Sequence, residues 1–178
     1  MGPAIPAATM SDPLPGSVPC LKPSGVNWAI FSMRFKEAMK ANTKWGHFTG
    51  SIAHPIPVNI NAPTDAEKAM MAAWDQDEVV THYLLSQRLP NSTAVRLKAL
   101  TSVVDRWNKI KLEFSIKSQY AKTNLLTAFT EMRCPRGGDV QSFLSQMQVR
   151  HEELAAVGVT MMEKDYQSAI IKALLEEM

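Results

Sequence analysis

From Val26 to Leu175 apolar side chains return every three or four residues, stretch after stretch, and no convincing run alternates apolar with polar as a half-buried strand would. That period commits the chain to an all-α fold, a helical bundle. Trp28, Phe31, Phe35 and Met39 form the first stripe behind Asn27, which can cap it, while Arg34, Lys36, Glu37 and Lys40 lie mostly off it. Thr64-Asp65-Ala66-Glu67 spells a capping box, in which hydroxyl and carboxylate each satisfy the other's backbone amide. The long helix behind it draws its buried side from Met70, Trp74 and Leu84, with Met71, Val80 and Leu85 nearby, and closes at Leu89-Pro90. Ser92 or Thr93 caps a shorter helix carrying Val95, Leu97 and Leu100. Ser102 to Asp105 starts the next, with Val103, Trp107, Ile110 and Phe114 on one face.

Ser115 reads as a restart or bend before a helix containing Ile116, Tyr120, Leu125, Leu126, Phe129 and Met132. Asp139 is placed to cap a helix with Val140, Phe143, Leu144, Met147, His151 and Leu154 in an i, i+3, i+4 pattern, ended by Gly158. Thr160-Met161-Met162-Glu163 is a further capping box, opening a last helix with Tyr166, Ile170, Ile171, Leu174 and Leu175. Two stretches escape the period. Residues 1–24, rich in Pro, Ala, Ser and Gly, read as an extended, mobile arm, and Trp45 to Gly50 with Pro55, Pro57 and Pro63 reads as a loop with aromatic anchors. Net charge alternates along the chain, positive through Pro63, negative to Asn91, positive over 92–124 and negative beyond, which suggests two lobes.

Composition narrows function by exclusion. With 178 residues, 46% hydrophobic and 20% charged, the chain can bury a core, and a formal charge of +2 lacks the bias of a dedicated nucleic-acid binder. No apolar stretch approaches a bilayer span, and repeated prolines break any secretory signal, so a cytoplasmic location is expected. Two cysteines, Cys20 and Cys134, give a zinc site little to build from. No cofactor, metal, membrane or small-molecule substrate is implied.

Catalytic chemistry has no cluster to stand on. His47, His54, His82 and His151 are scattered, and a Cys134–His151 thiolate pair is less natural than a partly buried cysteine beside an unrelated histidine. His151-Glu152-Glu153 lacks the second histidine of a zinc-protease helix, since Ala155 stands there. Asp75, Asp77 and Glu78 read as a solvated acidic face rather than a cation cage. Gly137-Gly138 with Arg133 and Arg136 reads as a turn, with weak RNA-phosphate contact as the alternative. Better candidates for phosphate are Arg96, Lys98, Arg106, Lys109, Lys111, Lys117 and Lys122, although charged helix surface is their default role. The tryptophans read as core rather than as a base-stacking platform.

The order of residues carries a family likeness. Asn27-Trp28 with Phe31 and Arg34, then Trp45-Gly46-His47-Phe48-Thr49-Gly50, resembles the Gag polyproteins of copia-type long-terminal-repeat retrotransposons. Trp74 with Asp77 and Glu78, Trp107 leading to Phe114, Gly138-Asp139-Val140 with Phe143, and Glu153-Leu154 before Gly158-Val159 continue that succession, from about Leu21 to Leu175. The resemblance implies a structural protein, not an enzyme: a two-lobed, capsid-like helical chain that self-associates into particles enclosing RNA. The lobes would run over 25–114 and 115–178, behind an arm of 1–24. Trp28, Phe31, Trp74 and Trp107 resemble packing positions of the first lobe, and Gly138, Asp139, Val140 and Phe143 the turn-and-helix core of the second. The family often carries a Cys/His zinc knuckle downstream; none precedes Met178, which reads as truncation or shortening and leaves RNA packaging without its usual module. A repurposed helical adaptor that binds peptide or RNA without forming particles is the alternative.

Overall fold

A computed structural model describes residues 14–175 and contains, among them, seven helices and no strand. They are α1 (Trp28–Ala41), α2 (Trp45–Thr49), α3 (Asp65–Ser86), α4 (Asn91–Leu97), α5 (Val103–Thr130), α6 (Val140–Ala156) and α7 (Glu163–Leu175). Several starts obey local chemistry. Thr64 and Glu67 close the expected capping box on α3, Ser102 Oγ accepts from the amides of Val104 and Asp105 at 3.1 and 3.5 Å, and the Asp139 carboxylate accepts from Gln141 N at 2.9 Å.

Other starts depart from the sequence reading. Asn91, Ser92 and Thr93 lie inside the first turn of α4, and Pro90 holds the cap position, where its missing N–H costs nothing. Helix α7 begins at Glu163, so Glu163 opens the helix instead of closing a box from Thr160. Trp45–Thr49 is a one-turn helix rather than loop, stopped by Gly50 at φ 73°. Ser115 neither caps nor breaks: α5 runs through it unbroken. The reason is register. Val103, Trp107, Ile110, Phe114 and Ser118 are all buried at spacings of three or four, and Ala121, Leu125 and Phe129 extend the series.

The described chain divides into two compact units, residues 14–21 with 31–111, and residues 22–30 with 112–175. Unit 1 is built on aromatic rings. Phe31, Phe35, Phe48 and Trp107 are buried, and Trp45 covers them: Phe35 stacks on Trp107 at 5.4 Å and meets Phe48 edge-on at 5.3 Å, while Trp45 lies edge-on to Trp107 at 5.5 Å. Met39, Leu84, Leu85, Leu97, Val103 and Ile110 fill around the rings. Residues 14–21 correct the arm reading. Leu14, Val18 and Leu21 are buried, Arg88 Nη2 donates to Leu14 O at 3.0 Å, and Leu21 N donates to Arg88 O at 2.8 Å, so apolar anchors spaced by prolines pack this segment into unit 1. Residues 1–13 of that arm lie outside the described residues.

Unit 2 packs α6 and α7 around Phe129, Cys134, Phe143, Met147, Leu154 and Ala173, where sulfur-bearing and aliphatic side chains fill between the rings. Cys134 N donates to Ala173 O at 3.0 Å, pinning the turn after α5 to α7. Trp28 packs against Phe114 at 6.1 Å between centroids.

Candidate functional site

Beside the rings of unit 1 lies the densest polar cluster of the described residues. His47, buried on α2, donates from Nδ1 to Glu78 Oε2 at 3.0 Å, and its Nε2 stands 3.9 Å from Asp77 Oδ2, which places His47 between two carboxylates of α3. Lys44 pairs with Asp77. The other oxygen of Glu78 accepts from Val103 N at 2.9 Å, so one α3 carboxylate caps the start of α5 while holding α2. His82, one turn on, donates from Nε2 to Thr101 O at 2.7 Å and keeps a buried, unpartnered Nδ1; burial, with Arg106 nearby, holds its pKa below the ordinary histidine value.

This cluster corrects the reading of Asp77 and Glu78 as a solvated face. The signal was present in the spacing: Glu78 shares a face with Trp74, Thr81 and Leu85, and Thr81 and Leu85 are buried. Met70, expected on the buried side of α3, is 54% exposed, because the inward face is used toward the C-terminal end, at Thr81, Leu84 and Leu85. Trp74 is half-buried outside the ring cluster. Its Nε1 donates to Ile52 O at 3.1 Å and its ring meets those of His47 and His54, which ties the proline-rich segment after α2 to α3. Within that segment Val58 N donates to Glu67 Oε1 at 2.8 Å; this bond, with those from Thr64, holds the exposed Glu67 carboxyl below its ordinary pKa.

The other signature residues divide between core and turns. Gly46 lets the Ile52 side chain lie close, since a Cβ there would come 2.4 Å from its outer carbons and push that side chain aside. Phe114, Phe143 and Leu154 are buried, whereas Val140 is 47% exposed, because it occupies the first position of α6, before the inward face of the helix begins at Phe143. Gly138 closes its turn by donating to Pro135 O at 2.9 Å, and Gly158, at φ 79°, ends α6 as expected. The turn offers little to a phosphate. Asp139 already occupies the amide end of α6 with a negative charge, and Arg133 Nη1 donates to Thr130 O and Met132 O at 2.9 and 2.8 Å, closing the last turn of α5.

The basic residues over 96–122 do not form one surface. Arg106 Nε donates to Leu100 O at 2.7 Å, Lys117 pairs with Glu113 at 2.7 Å and lies over the Phe114 ring, and Lys122 is half-buried. Arg96 Nη2 lies 3.4 Å from Thr93 Oγ1. Lys98, Lys109 and Lys111 are exposed, but Lys109 and Lys111, two residues apart on α5, point to different sides. Among the described residues no group of three or more His, Cys, Asp or Glu could hold a metal, and no helix is long and apolar enough to cross a membrane. Cys134 is buried, and His151 stacks on Tyr166 at 4.4 Å.

These units therefore present helical packing and polar clamps rather than converging reactive groups. The gag-polypeptide family of LTR copia-type elements matches residues 35–177, most of the chain. The chain belongs to the copia-type Gag family. Its ring cluster from Phe35, the His47–Glu78 clamp and the Asp139 turn all fall inside the matched span, whereas Trp28 and Phe31 precede it. No curated protein and no solved structure matches the chain. As a copia-type Gag it is a Gag-like structural protein.

Proposed function

We propose that the chain works by self-association, copies of it building a capsid-like particle in the cytoplasm that encloses RNA, with unit 1 and unit 2 serving as its two lobes in place of the expected 25–114 and 115–178, so that Trp28 goes with the second. The family match over residues 35–177 carries this reading. Two compact helical units, each with its own core, support it, because a shell needs rigid blocks joined by many weak contacts. RNA contact would be electrostatic and modest. Lys98, Lys109 and Lys111 are exposed, and each that meets a phosphate adds roughly −0.7 to the slope of log affinity against log salt for single-stranded RNA.

Light scattering and electron microscopy of the purified chain over a concentration and salt series test the assembly. Growth from monomer to large particles is expected, and a chain that stays monomeric throughout refutes it. Salt titration of RNA binding tests the packaging role separately. A flat response to salt removes RNA from the proposal and leaves assembly standing.

A further inference from the structure

Helix α5 carries an unusual surface over its last two-thirds. From Leu112 to Thr130 every exposed residue is uncharged, and the three charged ones, Glu113, Lys117 and Lys122, are all half-buried, two of them paired with each other. Along this face Leu112 is 61% exposed, Ile116 52% and Tyr120 69%, at successive spacings of four, so they lie one above another on one side of the helix. The opposite side, Phe114, Ser118 and Phe129, is buried. A helix face normally left in water carries charge, and α6 obeys the rule with exposed Arg150, Glu152 and Glu153. Neutral, partly apolar surface on α5 is what remains when a face is meant to be covered.

We propose that Leu112, Ile116 and Tyr120 form a pairing surface for the same face of a second copy, crossing at Ile116 on a two-fold axis. This rests on the self-associating reading above and names the surface it uses. Three properties select a second copy. The stripe is symmetric about its centre, so a half-turn through Ile116 sets Leu112 of one copy against Tyr120 of the other, and aliphatic meets aromatic twice. Neutrality removes the like-charge penalty that identical charged faces would incur on meeting, and it offers no cation to a nucleic acid and no counter-charge to a charged peptide. The size also fits. Three side chains of this exposure cover on the order of 400 Å² per copy, about half of what a stable two-chain interface buries. Pairing through this face alone is weak and reversible, as suits one of several repeated contacts.

Sedimentation velocity of the full chain, with and without Ile116→Glu, tests the surface. Two carboxylates forced together at the axis weaken association at least about tenfold. Ile116 is half exposed, so the thermal midpoint read by circular dichroism stays close to that of the parent. A 1:1 mixture of Ile116→Glu and Ile116→Lys chains regains association that neither shows alone. Unchanged self-association of Ile116→Glu overturns the surface and leaves self-association intact, whereas a parent chain monomeric at every concentration overturns both. Cross-linking gives an independent reading. In a Cys20→Ser background, Ile116→Cys oxidised by copper-phenanthroline yields a disulfide-linked dimer, and Val149→Cys, exposed on α6, yields none. Equal cross-linking of the two overturns the proposal.

Discussion

The two units solve the same problem, burying a helical core, with different materials. Unit 1 interlocks five aromatic rings, Phe35 among them, and fastens α2, α3 and α5 with one half-buried carboxylate, Glu78. Unit 2 relies on Trp28 against Phe114 and on Phe129, Phe143, Met147 and Leu154, and its polar anchors include backbone and cap bonds such as Cys134 N to Ala173 O and Gln141 N to the Asp139 carboxylate. Rings fix one another's orientation through edge and face geometry, whereas methionine adapts to whatever space it is given. Unit 1 thereby gathers its rings into one interlocked cluster, whereas unit 2 divides its rings between the Trp28–Phe114 contact and the core around Phe129 and Phe143.

Truncating the ring cluster should break that contrast most severely. Phe35→Ala removes a fully buried ring in contact with Phe31, Phe48 and Trp107 and should cost about 3–5 kcal/mol, with hydrogen exchange showing loss of protection in α2 and α3 while α6 and α7 keep theirs. Met147→Ala is the matching test in unit 2. It should cost about 2–4 kcal/mol by denaturant unfolding, toward the lower end if neighbouring side chains collapse into the gap.

The polar clamp should rank next. Glu78→Ala leaves His47 Nδ1 and Val103 N without their acceptor and should cost about 2–3 kcal/mol, with faster exchange of the first amides of α5. Its counterpart in unit 2, Asp139→Ala, loses one exposed cap bond and should cost about 1 kcal/mol. A loss from Asp139→Ala as large as that from Glu78→Ala would erase the distinction between a buried clamp and a surface cap.

The smallest effect is a titration. Glu67 has its pKa lowered by bonds from Val58, Thr64 N and Thr64 Oγ, so folding favours its ionised form. Its contribution is fully present above the unfolded carboxyl's pKa and is lost as pH falls through the lower folded value. The amide shifts of Val58 and Thr64, followed by NMR, should therefore move together below the ordinary glutamate range. Movement within that range would show that the bonds to Glu67 are not kept in solution.

Features closed within one turn of chain were legible from residues alone. Thr64-Asp65-Ala66-Glu67 carries both halves of its capping box, and Asp139 sits one turn before Phe143; neither needs a distant partner. Ser115 was misleading for the converse reason. Serine favours caps when nothing else acts, but here Phe114 and Ser118 keep burying the same face, and tertiary packing overrides a local preference. Trp45–Thr49 is helix rather than loop although one turn is too short to show a period; Trp45 stacked on Phe48 and edge-on to Trp107 supplies what propensity lacks.

By itself the sequence determined the helical class, most of the caps and the family succession, since each is written in residues near one another or in a fixed order. Only the tertiary structure decided that Glu78 faces His47 and Val103 rather than water, that Leu14 to Leu21 pack instead of trailing, and that α5 keeps a neutral face outward. A carboxylate's charge is visible in the chain. The partner that makes it worth burying lies 31 positions away, and only folding brings the two within hydrogen-bond reach.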